Sequence, residues 1–196
     1  MRRVRIAAAF AAFAFLSATA TAQPANASHW WTDSSGQAVH LNLGHIPGIS
    51  FYNNAVNSTV RQQLEDSRGL WSTSPAFDLY NWSSQSANVV AWDGNWTASD
   101  WSGLATPYGC CFWANGHGGH ATQMGVQINL RYLSSGWQHI KAVACQELGH
   151  ATGAILHAGN GCMGYTYFHW DPSVAAARQP NAHDWEHPAF LWQNVH

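Results

Sequence analysis

Four residues in the C-terminal third carry the chemistry this chain could perform: Gln146, Glu147, His150 and His157. On a helix, residues four apart stand one above the other on the same face, so side chains at 146 and 150 can reach one ion while Glu147 leans beside it. That spacing suits a catalytic zinc. Such a site keeps three protein ligands and one open position, lowers the pKa of water to about 7, and needs a nearby carboxylate to take the proton. Gln146, His150 and His157 are the candidate metal ligands, and Glu147 is the candidate general base. His157 stands seven residues beyond His150, and an unbroken helix would hold the two about 10 Å apart along its axis. A turn is therefore required. Gly153 can supply it, because glycine adopts positive φ and ends helices, which would bring the following chain back toward the ion.

The run from Gln146 to His157 (QELGHATGAILH) resembles the zinc signature of the metzincin metallopeptidases. It resembles more closely the matrixin-like secreted bacterial proteins in which Gln replaces the first His of that signature. Two departures stand out: Gln146 offers a neutral amide oxygen, and Leu156 occupies the place of the third His, which follows one residue later. Cys162-Met163-Gly164-Tyr165 resembles the Met-turn of that family. Pro180 to Trp185 resembles the start of its closing helix, and Val126 to Leu133 resembles the strand and Asn-containing segment before its active-site helix.

The resemblance implies one α+β domain: a mixed, mostly parallel twisted sheet, two long helices packed against it, and a small subdomain after the Met-turn. It also implies a secreted zinc-dependent endopeptidase acting on peptide or protein substrates, with Met163 as the floor beneath the Zn2+. A different implication of the same departures is a catalytically inactive scaffold that serves as an extracellular binding protein for protein or glycan.

Residues 1–27 read as a secretory signal: Arg2, Arg3 and Arg5 precede an apolar run from Ile6 to Leu16, with small residues after it. Both Ala20-Thr21-Ala22 and Ala25-Asn26-Ala27 suit cleavage. The run is too short to anchor the chain in a bilayer. Residues 28–196 then form the expected domain, exported, free of the membrane and monomeric. Without the signal arginines, five basic residues face 10 acidic ones, a balance that excludes nucleic-acid binding. Charged residues make up only 9% of the chain while Trp numbers 12, so disorder is disfavoured too.

Four cysteines allow three pairings and suit an oxidising compartment. A Cys145 to Cys162 bridge, the favoured one, would close the loop that bears His157. Cys110 and Cys111 are adjacent, and could bridge each other, stay free or pair elsewhere.

The remaining elements follow from local pattern. Ala38 to Leu43 and Ile49 to Tyr52 read as extended. Asn54 is placed to cap a helix over 55–68 with Val56, Val60 and Leu64 as its apolar stripe and Gly69 as its stop. Phe77 to Tyr80 and Asn88 to Trp92 are strand-like. Trp92, Trp96 and Trp101 could stack on a ligand from the surface, or staple loops. His117 and His120 fall in a Gly-rich loop. Met124 to Leu133 reads as a strand, and Ser135 with Gln138 forms a capping box for a helix to about Thr152, packed through Ile140, Val143, Ala144 and Leu148. His139 is expected on the surface. Asp184 is expected to cap a last helix.

Overall fold

The computed structural model describes residues 39–41, 48–74, 77–108, 113–114, 119–153, 161–163, 175–182 and 184–185. The expected signal, Cys110, Cys111, His117, His157 and the 164–174 segment lie outside them. Eight strands lie among the described residues. These are β1 (Val39–Leu41), β2 (Gly48–Asn53), β3 (Asp78–Asn81), β4 (Val89–Gly94), β5 (Gly103–Pro107), β6 (Trp113–Ala114), β7 (Gly119–Ala121) and β8 (Met124–Asn129). With α1 (Ser58–Trp71) and α2 (Trp137–Ala151) these strands give an α+β architecture.

The main sheet has the order β3-β2-β4-β8-β5. Its first three pairings are parallel, and β5 runs antiparallel to β8 at one edge. It is the mixed, mostly parallel sheet expected from the sequence. A smaller sheet, β1-β7-β6, places His120 in a strand rather than a loop. Ile49, Phe51, Val89, Ala91, Met124, Val126 and Ile128 alternate along the inner strands and join the core cluster with residues of both helices. Each such aliphatic or aromatic side chain contributes about 1.5–3 kcal/mol on full burial.

The first helix begins three residues later than its periodicity predicts. Asn57, not Asn54, is the cap: its side chain accepts from the amides of Thr59 (2.9 Å) and Val60 (3.2 Å). Asp93 fixes that start from β4, accepting from the amides of Val56 (2.8 Å) and Asn57 (2.7 Å). Val56 is consequently left outside the helix and 85% exposed. Gly69 does not stop the helix, which runs on to Trp71, and the buried stripe becomes Val60, Gln63, Leu64, Ser67 and Trp71.

Two further expectations give way near α2. The strand ends at Asn129, and residues 130–135 form a 3-10 turn, because Asn129 spends its side chain on neighbouring backbone groups. The helix is then led in by Gly136 at φ 91 with no side-chain cap, so the Ser135 and Gln138 capping box does not form. The packed side of α2 is the expected one. Ile140, Val143, Ala144 and Leu148 are all buried.

Candidate functional site

Three faces of α2 meet three different surroundings. The face bearing Cys145 and Gly149 lies against α1, where the Trp71 indole donates to the Cys145 carbonyl at 2.8 Å. A methyl group at Gly149 would collide with Met163 Sδ and stand 2.6 Å from the Trp71 ring. The close approach of three groups thus depends on a residue without a side chain. The bridge between Cys145 and Cys162 is present, with both cysteines fully buried. It ties Met163, itself fully buried, against the helix.

The second face carries Val143 and Glu147 beneath β5. A methyl group at Gly103 would lie 2.6 Å from Glu147 Cγ and 2.9 Å from its Oε1, so the edge strand lies directly on the carboxylate. Glu147 is fully buried, and neither oxygen completes a hydrogen bond among the described residues. Burial pushes its pKa up to about 8, and the Ala105 amide that approaches it offsets only part of that rise. An ionised carboxylate in low dielectric without a partner is disfavoured, so the proton is retained near neutrality.

On the third face stand Gln146 and His150, one helical turn apart. Gln146 is buried and His150 half-buried. The helix closes at Thr152, whose amide bonds back to the Leu148 carbonyl at 3.0 Å, and Gly153 follows at φ 102. Positive φ is where the chain turns off the helix axis, as the spacing of His150 and His157 requires. His157 itself lies outside the described residues. Among the described residues no three His, Cys, Asp or Glu side chains converge on one point.

Reasoning from sequence missed the residue that places β5. Asn129 is fully buried, and its amide donates to the carbonyls of Trp96 (3.1 Å) and Trp101 (3.0 Å). Its oxygen accepts from the amides of Trp96 (3.2 Å) and Arg131 (3.1 Å). Arg131 adds bonds to the Thr97 and Ser99 carbonyls, both at 2.9 Å. This grip sets the 95–102 loop and hence the strand that follows it over Glu147. Trp96 and Trp101 pack on each other at 5.0 Å between ring centroids, and Trp92 packs on Tyr108 at 5.1 Å. All three tryptophans are half-buried staples rather than an exposed platform.

Two other corrections concern polar groups. His139 is buried, and the loss of hydration lowers its pKa to about 4, so it is a neutral packed imidazole near Tyr132. At the chain's far end the cap is Asn181, not Asp184. Asp184 N donates to Asn181 Oδ1 at 3.0 Å, and Asn181 N donates to Asp184 Oδ2 at 2.9 Å, a reciprocal capping box.

The bridge should carry much of the local stability, because it spans 17 residues and a loop of about that length corresponds to roughly 3 kcal/mol of denatured-state entropy. Thermal unfolding of Cys145→Ser/Cys162→Ser beside the oxidised parent is expected to show a drop of that order. An unchanged midpoint would mean that packing around Met163 holds this segment without the bridge.

No described helix is long and apolar enough to cross a membrane. No family model matches the chain, and no curated protein matches it. Among solved structures, that of myroilysin is similar at a TM-score of 0.35 and 12% identity, over 53% of this chain and 46% of that one. The chain thus spans less than half of that protein, and the likeness is too slight to bear on fold or activity.

Proposed function

We propose that this protein is an exported zinc-dependent endopeptidase of the metzincin type, in which Glu147 is the general base. The observation that carries the reading is the state of Glu147: fully buried, its charge offset only in part by the approaching Ala105 amide, and flanked on one helix by Gln146 and His150. The donors fit a zinc ion in kind, an imidazole and an amide one turn apart beside an only partly compensated acid. Gln146, His150 and His157 would hold the ion. When bound, zinc supplies Lewis acidity and brings water into the range where a carboxylate can deprotonate it.

The chain's own residues do the rest. Glu147 accepts a proton at its carboxylate, and a pKa raised toward neutrality suits proton transfer in both directions better than an ordinary one. A neighbouring cation would favour its ionised form. Among the described residues β5 pairs only with β8. Its outer edge can therefore take an extended peptide as an added strand beside Glu147, with backbone hydrogen bonds giving affinity. The bridge keeps Met163 packed against the helix.

The test is metal content and zinc titration of the purified protein beside His150→Ala, followed by a screen for peptide hydrolysis. One zinc per chain, lost in the variant, and chelator-sensitive cleavage are the expected results. A folded protein that binds no zinc above background overturns the reading. The complete burial of Glu147 favours the second reading in that event, a scaffold that binds without hydrolysing.

A further inference from the structure

We propose that Tyr80 and Trp82 form a binding subsite for neutral polysaccharide at β3, which pairs only with β2 among the described residues, on the sheet surface turned away from α1 and α2. Along β3, Leu79 enters the core, so Tyr80 and, two residues on, Trp82 project to the opposite surface. Tyr80 is 37% exposed and Trp82 47% exposed, two of the few large hydrophobic side chains open to solvent among the described residues. Their rings meet edge to face, 6.1 Å between centroids and 76° between planes. The two make a right-angled corner rather than a packed stack.

Both rings are fixed before any ligand arrives. Gly48 lies under Tyr80: a methyl group there would come within 2.9 Å of the ring, so the phenol lies against backbone. Trp82 is held twice, by its amide to the Phe51 carbonyl at 2.7 Å and by its indole N–H to Ser86 Oγ at 3.1 Å. The loop beyond is pinned from β8's approach, where Gln123 donates to the carbonyls of Gln85 and Ala87, both at 2.6 Å. Rings already held in place lose little freedom on binding, which is what makes aromatic anchors effective.

The surroundings select the ligand class. Asn81, Ser83, Ser84, Gln85 and Ser86 are exposed, uncharged hydrogen-bonding groups around the corner. A sugar ring offers C–H faces that pack on aromatic rings and hydroxyls that pair with such side chains. Residues 79–87 contain neither Lys nor Arg, and Arg68, whose Nη1 donates to the Leu79 carbonyl at 2.9 Å, comes from α1 and is ion-paired with Glu65 there, so little favours an anionic chain. The subsite is independent of zinc and of Glu147, which lies on the helix side of the sheet.

The experiment is binding of the full chain to cello- and chito-oligosaccharides, followed by tryptophan fluorescence and calorimetry with a chelator present. Wild type should bind at least one of them. Tyr80→Ala and Trp82→Ala should each weaken binding about tenfold, the scale of one lost aromatic contact. Trp82→Phe should keep most of the affinity, and Trp137→Ala, an exposed tryptophan at the start of α2, should change nothing. Equal circular dichroism across the set guards against misfolding. Failure of the wild type to bind either sugar, binding confined to anionic polymers, or full affinity in Tyr80→Ala/Trp82→Ala would each overturn the proposal.

Discussion

On the proposed endopeptidase reading, Glu147→Gln is expected to slow peptide hydrolysis severely while making the metal-free protein more stable at pH 8. The first effect follows from removing the proton acceptor, a loss of about 10²–10⁴-fold for a general base. The second follows from linkage. The carboxyl has a folded pKa of about 8 against an ordinary 4.5, so between those values the folded chain holds a proton that the unfolded chain releases. Stability is therefore full below about pH 4.5 and falls as pH rises toward 8, by up to about 1.4 kcal/mol per unit. Gln cannot ionise, and its pH dependence over that window should be flatter. Thermal unfolding of both proteins at pH 5 and pH 8 in chelator reads this directly. Parallel slopes would show that Glu147 is solvated or paired in solution, and retained hydrolysis would remove it from the reaction.

Trp71→Ala is expected to cost about 3–5 kcal/mol, the largest loss foreseen for a single side chain here. The ring is fully buried where α1 crosses α2, packs at Gly149 opposite Met163, and donates to the Cys145 carbonyl. Its removal leaves a cavity and takes the indole donor from the Cys145 carbonyl. Trp71→Phe separates the two contributions, since it keeps most of the apolar ring and loses the hydrogen bond, about 1 kcal/mol. Denaturant unfolding measures both. If alanine costs no more than phenylalanine, the region closes over the void and the helix pair is less tightly packed than its contacts imply. On the proposed metal-binding reading, zinc affinity should fall in parallel, because the residues beneath Gln146 and His150 lose their support.

What could be read in advance was local. The second helix showed its apolar spacing and Gly153 its turn, because each depends on neighbours within a few turns of chain, while the Cys145 to Cys162 bridge was the favoured one of three possible pairings. The start of α1 was not legible. Asn54 and Asn57 are both good caps, and the choice is made by Asp93, a residue 36 positions from Asn57. The burial of His139 was hidden for a similar reason, since it depends on the 3-10 turn that leaves Asn129. The sequence of β5, Gly-Leu-Ala-Thr-Pro, has little strand character, and the Asn129 grip on the preceding loop is what brings it to the sheet and over Glu147. Expectation and structure part wherever a side chain spends its hydrogen bonds on backbone far away in the chain.

The two rims of the main sheet differ from its interior in one respect that bears on solubility. Open sheets recruit further copies through unpaired edges, and proteins resist this with short, charged or proline-terminated rims. Here β3 has only four residues and opens on exposed Asp78, while β5 ends at Pro107, which has no N–H to offer. Between Gly103 and Thr106 the β5 rim is long enough for one short guest segment and too short to seed a growing fibril. A chain this rich in tryptophan and this poor in charge can therefore carry beside Glu147 an edge that is unpaired among the described residues without that edge becoming a template for its own aggregation.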